Sequence, residues 1–308
     1  MNSTIVRSNL AFAWRRLALE SAFAPQRAAR SAERLFTTPP RFGHTPRELE
    51  WLAQGTRFSV PTKAGALAAW RFGESHRSAV VFSHGWGGRG AQLRHFGPAL
   101  LEAHFQVVVF DHGAHGMSSG REASLVHFVD DLGAVIAAIE SQGARLAGLI
   151  GHSLGAAAVG AWLNATERTI RAVLIASPTS IVRHARYFAR RWGLSDSVTQ
   201  AMQERLERRL GHRWAEFELP QSVAKVRAAA LVIHDADDLD VAPASGLALA
   251  RAWQDARFVG TQGLGHVGVL RDSAVVQHAV DFFNERGVFA LPPAPGEPSA
   301  FRVPAPIV

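Results

Sequence analysis

Two hydrophobic rhythms alternate along the chain. Residues 79–84, 106–110, 145–150, 171–176 and 228–234 are nearly continuous apolar runs, as expected of parallel strands buried on both faces. A shorter run spans Ala256 to Gly260. Between these runs apolar positions return at helical spacing, for example from Ser124 to Ile139. Arg57–Pro61 and Ala66–Phe72 predict an opening β-hairpin. Strand–helix alternation of this kind predicts an α/β fold with a doubly wound, mostly parallel sheet. From Pro178 to Lys225 the rhythm changes to amphipathic helices without a strand, including Ser195 to Leu210. The pattern divides the chain into a helical N-terminal extension (1–50), a core (51–177 and 226–290), a helical insertion (178–225) and a tail (291–308). The tail carries Pro292, Pro293, Pro295, Pro298, Pro304 and Pro306 and reads as extended chain.

The 308 residues are 47% hydrophobic, enough for a large core. Leu10, Trp14 and Leu17 share a helix face near Arg7, Arg15, Arg16 and Arg27. That face is expected to dock on the protein's own core. It also suits weak peripheral contact with an anionic membrane surface. No apolar stretch reaches bilayer length, and residues 1–30 lack a compact apolar region with a cleavage site, so the expected location is cytoplasmic. Cysteine is absent, which removes disulfide and thiol chemistry. The formal net charge of +7 rests on arginine, Lys63 and Lys225 being the only lysines. Nucleic acid is not an expected partner, because the basic residues are dispersed and no recognition motif is present. Arg183, Arg186, Arg190, Arg191, Arg205, Arg208 and Arg209 make the insertion basic. The expectation is solvated helix faces partly paired with Glu204 and Glu207. Steering of an anionic substrate is the alternative. Oligomeric state leaves no mark on the sequence.

Candidate chemistry begins at Gly151-His152-Ser153-Leu154-Gly155, between an apolar strand and a run of small residues. This strand–turn–helix setting suits a nucleophile elbow, whose glycines prevent collisions around a strained serine. A serine hydroxyl needs a base, and the expected chain order is serine, acid, histidine. Asp235, Asp237, Asp238 and Asp240 follow the 228–234 strand, and His266 follows the 256–260 strand. Both segments end at the carboxyl edge of the sheet, where sites form in open α/β folds.

The chain therefore resembles the α/β-hydrolase superfamily. Ser83-His84-Gly85-Trp86-Gly87-Gly88 is similar to its His-Gly loop, and Asp111-His112-Gly113-Ala114-His115-Gly116-Met117-Ser118 to the turn after its fourth strand. Gly151–Gly155 matches the elbow, and 234–243 with 263–266 match the acid and histidine segments. The resemblance implies Ser153 as nucleophile, His266 as base and Asp238 as its acid, with Asp240 the better runner-up and Asp237 behind it. It also implies an oxyanion hole from the amides of Trp86 and Leu154. His84, His112, His115 and His152 fall on the same sheet edge and, with Gly85, are expected to line the site. The family's histidine beside the nucleophile is a packing residue. The insertion resembles the family's helical cap, with Phe188 and Trp192 as expected acyl-pocket walls. Departures are Asp235 and Ala114 at usual glycine positions and Ala242 ahead of Pro243. The implied activity is serine-dependent hydrolysis of a small-molecule carboxylic ester without cofactor or metal. Thioesterase, lactonase, amidase, acyltransferase, cofactor-free haloperoxidase and non-catalytic ligand-binding readings remain alternatives. The 14 histidines lack H-E-x-x-H spacing, which argues against a metal site.

Overall fold

A computed structural model describes residue 17 and residues 19–285. The N-terminal face containing Leu10 and Trp14, and the proline-rich tail, lie outside the described residues. Eight strands form one sheet: β1 (Thr56–Thr62), β2 (Gly65–Phe72), β3 (Ala79–Ser83), β4 (Gln106–Phe110), β5 (Leu146–His152), β6 (Arg171–Ile175), β7 (Ala230–Asp235) and β8 (Ala256–Thr261). Their order is β1-β2-β4-β3-β5-β6-β7-β8. The β1–β2 hairpin and the β2–β4 pair are antiparallel, and the remaining pairs are parallel. β7 begins at Ala230 instead of Ala228. The Ala228 carbonyl instead accepts a hydrogen bond from the Trp253 indole at 2.7 Å.

Helices among the described residues include α1 (Pro25–Thr37), α2 (Pro46–Leu52), α3 (Gly97–Glu102), α4 (Leu125–Ser141), α5 (Leu154–Thr166), α6 (Ile181–Trp192), α7 (Asp196–Leu210), α8 (Leu219–Ser222), α9 (Pro243–Ala252), α10 (Gly265–Gly268) and α11 (Ser273–Asn284). Successive residues of a strand point to opposite faces, so a continuously apolar strand builds two cores. In β3, Val81 packs with Leu132 and Val135 of α4, Val159 of α5 and Leu249 of α9. Val80 and Phe82 join Leu100 of α3 and Val276, Ala279 and Phe283 of α11 on the other face. Burial of one such side chain is worth about 1.5–3 kcal/mol, and the sheet buries dozens.

A third apolar cluster lies away from the sheet. Leu17 and the α1 residues Ala28, Ala29 and Ala32 pack against Ala185 of α6, Val198, Met202 and Leu206 of α7, and Trp214. Small side chains on α1 permit its close approach to α7. Ser180 and Ser195 accept hydrogen bonds from the third-residue amides Arg183 N and Val198 N, fixing the starts of α6 and α7. Gly193, at φ 65°, ends α6 in the left-handed conformation.

Ion pairing in this layer differs from the sequence expectation. Arg205 and Arg209 pair with Glu33 of α1 at 2.7 and 2.8 Å, and Arg209 also with Glu122 at 2.6 Å. Glu204 and Glu207 instead accept from Gln200 and Gln203, each at 2.9 Å. The reason is geometric: docking of α1 brings a buried carboxylate to the arginine face of α7. Beyond α1 the chain runs back over the core, where Arg41 donates to the carbonyls of Ser118 and Gly120, both at 2.9 Å.

Candidate active site

Ser153 stands at the turn from β5 into α5 with φ 53° and ψ −123°. A non-glycine residue in this region is strained, and its surroundings must impose the conformation. Ser153 N donates to Ile175 O at 2.9 Å, and its carbonyl accepts from Ala156 N at 2.9 Å. The flanking glycines are required by contact. A Cβ on Gly151 would sit 2.4 Å from Ala156 Cα, and one on Gly155 would sit 2.1 Å from Ser83 O. The turn therefore closes only with hydrogen at both positions, and Ser153 remains partly exposed.

Asp238 lies in the loop after β7, with its side chain fully buried. Its Oδ2 accepts from His266 Nδ1 at 2.8 Å and faces His234 Nε2 at 3.3 Å. Its Oδ1 accepts from the amides of Asp240 and Val241, both at 2.9 Å. Burial alone would raise the carboxyl pKa, but the bonds from His234, His266 and Val241 N outweigh it and hold the group well below the usual carboxylate range. Asp238 is therefore an anion with its acceptor positions filled. It fixes the proton of His266 on Nδ1, leaving Nε2 as the basic nitrogen.

The turn carrying His266 is latched from two sides. Asp235 accepts from Thr261 Oγ1 at 2.7 Å, Gly265 N at 2.9 Å and Leu264 N at 3.2 Å. The departure from glycine at this position thus binds the histidine turn to the end of β7. From the elbow, His152 Nε2 donates to the His266 carbonyl at 2.8 Å, and the two rings lie 4.8 Å apart. Burial pushes the His152 pKa down to about 3, with the nearby His266 adding to the effect. His152 is consequently a neutral donor holding the turn, in keeping with a packing role. Among the described residues no hydrogen bond joins Ser153 to His266, and bonds of this kind commonly tighten only when substrate engages.

The His-Gly loop presses against the elbow, since a Cβ on Gly85 would lie 2.8 Å from Ser153 Cβ. The amides of Trp86 and Leu154 have no acceptor among the described residues. His84 was expected to line the site, but it is fully buried and both ring nitrogens are occupied. Nδ1 donates to Gly85 O at 2.8 Å, and Nε2 accepts from His112 N at 2.9 Å. The histidine staples the loop to the turn after β4 and is not available to a substrate. His112 is likewise interior: its Nδ1 donates to Asp131 at 3.2 Å and its Nε2 accepts from Ser83 Oγ at 2.8 Å. Ser83, His112 and Asp131 thus form a second serine–histidine–aspartate chain. Its serine and histidine are fully buried, so it braces the sheet edge and meets no substrate. His115 is buried too, its Nδ1 donating to Gly113 O at 2.9 Å.

Phe188 packs edge-on to Phe36 with ring centres 5.1 Å apart and lies 6.0 Å from Trp192. Both side chains pack on the cluster shared by α1, α6 and α7, and their described contacts do not reach Ser153. Asp238, Asp240 and His266 place one potential metal-ligating atom each within 4.8 Å of one another. His266 Nδ1 is already bonded to Asp238 there, an arrangement suited to orienting an imidazole. The roles of His234 and Asp235 were missed by sequence reasoning. The signal was a histidine at a strand end four residues before an aspartate.

The sequence profile of the family described as serine aminopeptidase, S33, matches residues 74–259, more than half of the chain. A search of curated protein sequences returned no match. Several solved structures share the fold. An esterase of Pyrococcus furiosus, Pf2001, is 17% identical and superposes with a TM-score of 0.61 over 80% of this chain and 97% of its own. The esterase RhEst1 from Rhodococcus sp. is 19% identical, with a TM-score of 0.57 over 76% of this chain and 100% of its own. A bacterial membrane phospholipase A is 17% identical, with a TM-score of 0.59 over 91% of this chain and 98% of its own. Among the described residues no helix is long and apolar enough to cross a membrane. The chain belongs to the S33 serine aminopeptidase family of the α/β-hydrolase superfamily.

Proposed function

We propose that this hydrolase cleaves carboxylic esters through an acyl-enzyme on Ser153. The observation that carries the reading is the ionised Asp238 bonded to His266 Nδ1, on a turn tied by His152 to the strained elbow of Ser153. His266 Nε2 takes the proton of Ser153 Oγ as that oxygen attacks the ester carbonyl. The amides of Trp86 and Leu154 hold the developing oxyanion. His266 returns the proton to the departing alcohol, and the same base then activates a water that releases the acid. The strain at Ser153 is part of the design, because it lifts Oγ clear of both strand and helix.

In the same reading the helices of 178–225 serve as a cap, with α1 packed on them, and shape access to the elbow. The esterase neighbours favour an ester over other acyl substrates. The family description names aminopeptidases, whose substrates present a free ammonium. Arg94 and Arg271, close to the His266 turn, disfavour such a group electrostatically.

The test is active-site labelling with a small fluorophosphonate alongside hydrolysis of a short chromogenic ester. Wild type should incorporate one phosphonate, mapped to Ser153, and Ser153→Ala should lose both labelling and turnover by at least about a thousandfold while retaining its fold. A folded Ser153→Ala protein that still hydrolyses the ester overturns the proposal. Absence of label on the wild type favours a non-catalytic binder.

A further inference from the structure

Beside the His266 turn lies a pocket whose residues take no part in the acyl-transfer steps. It is a cavity of about 90 Å³ lined by Thr45, Glu48, Arg89, Gln92, Arg94, His95, Val267, Leu270 and Arg271. Three elements converge on it: the start of α2, the 3-10 turn Gly90–His95 that follows the His-Gly loop, and the 3-10 turn Val269–Arg271 that follows α10. One wall therefore continues from the loop of Trp86, and the other from the turn of His266.

Its charge is unbalanced. Glu48 is the one carboxylate among the lining residues, and it is buried within the protein's own bonds. It accepts from Thr45 N at 2.8 Å, from Arg89 Nε at 2.7 Å and from Arg94 Nη1 at 3.4 Å. Arg271 has no carboxylate partner among the described residues. The neighbouring Asp272 instead caps α11 by accepting from Val275 N at 3.0 Å. Arg89 and Arg94 each retain guanidinium N–H groups beyond those given to Glu48. Gln92 accepts from Arg89 N through its Oε1, so its amide NH₂ remains a further donor. Burial, and the fields of Arg271, Arg89 and Arg47, hold Arg94 below the usual arginine range despite the opposing pull of Glu48. His95 is lowered by burial and then by Arg94 and Arg271, so at neutral pH it adds no charge. Three guanidiniums line the pocket around one carboxylate and repel one another, and an anion placed among them relieves that repulsion while accepting hydrogen bonds from their remaining N–H groups.

We propose that this pocket binds a compact oxyanion, a carboxylate or a phosphate, between Arg89, Arg94 and Arg271. The planar forks of arginine match the paired oxygens of both anions. Two sources supply such a group: an acid carried on a substrate engaged at Ser153, or a free anion. The cavity is small enough to select for the group itself.

The experiment is calorimetric titration with inorganic phosphate, replacing chloride at constant ionic strength. Wild type and Ser153→Ala should both show saturable single-site binding, which separates this site from the acyl chemistry. Arg271→Gln and Arg94→Gln should each weaken binding about tenfold, the scale of one charge-assisted hydrogen bond. Arg251→Gln, at an exposed position of α9, should leave it unchanged. Absence of saturable binding by wild type, or equal weakening in all three variants, overturns the proposal. The source is read from a pair of chromogenic esters, one ending in a carboxylate and the other in its methyl ester. A rise in KM confined to the carboxylate ester in Arg271→Gln assigns the site to the substrate. Unchanged kinetics for both esters, with phosphate binding lost, assigns it to a free anion.

Discussion

His152 Nε2 donates to the main-chain carbonyl of His266 at 2.8 Å, so the residue next to the elbow serine holds the turn that carries the candidate base. This is a positioning contact: neither atom belongs to the reacting set. The bond fixes where the His266 ring starts, and the bond from His266 Nδ1 to Asp238 fixes how it is rotated. Together they define the imidazole from its backbone and its edge.

His152→Phe should keep the packing volume but lose the bond. We expect kcat to fall about tenfold to a hundredfold, the scale of a small misplacement, with KM nearly unchanged. His152→Gln, which restores an N–H donor, should recover part of the loss. Equal losses in kcat for the two variants would show that filling space, not the hydrogen bond, matters here.

Asp238→Asn should cost about a thousandfold or more in kcat, because an amide can present its NH₂ to His266 and reverse the tautomer. Asp240→Asn should stay within about threefold, since the Asp240 main chain, not its side chain, bonds Asp238. Asp235→Asn should fall between them, weakening the latch on Leu264 N and Gly265 N without touching the base. Purified variants assayed on one chromogenic ester give this ranking directly. A greater loss from Asp240→Asn would move the acid to that residue.

The parallel strands were legible because burial on both faces writes itself as continuous apolar sequence, and β3 to β7 follow those runs closely. The elbow was legible for a steric reason, since Gly151 and Gly155 are the residues whose Cβ would strike Ala156 and Ser83. Long-range choices were not legible. Nothing local to Arg205 or Arg209 marks Glu33 as their partner, because that depends on where α1 docks. The sequence likewise could not tell that His84, unlike His266, is interior. Both follow strands at the same edge, and burial separates them. Ser83, His112 and Asp131 make the same point, since the residue types recur in the right bonds with the serine and histidine sealed from solvent.

Several histidines are held neutral, which gives stability a defined pH dependence. Burial pushes His152 down to about 3, and burial with neighbouring histidines pushes His84 and His112 well below the ordinary value. In the unfolded chain these groups titrate near 6.5. Between that pH and the lower folded values the unfolded state binds more protons, so stability is lost as pH falls. Each such proton contributes about 1.4 kcal/mol per pH unit. Asp131, raised by burial to about 6, opposes this over its own shorter interval. Urea denaturation at pH 7, 6 and 5 should show a midpoint that drops steadily. A constant midpoint would mean that the buried histidines take up protons without unfolding.

The cluster shared by α1, α6 and α7 should behave as a cooperative unit of its own. Met202 is fully buried there, among Leu17, Ala29, Val198 and Leu206, none of which contributes to the two cores on the sheet. Met202→Ala leaves a cavity that typically costs about 2–5 kcal/mol. Because α1 and α7 also share the Arg205–Glu33 and Arg209–Glu33 pairs, loosening one releases the other. Amide hydrogen exchange should therefore accelerate together across 25–37 and 181–210 in the variant, while β3, β5 and β6 keep their protection. Phosphonate labelling of Ser153 should persist, since the elbow is imposed by contacts within β5, α5 and the end of β3. If exchange instead rises uniformly through the strands, the layer is part of one folding unit with the sheet. If it rises in α7 alone, α1 is held by contacts other than this cluster.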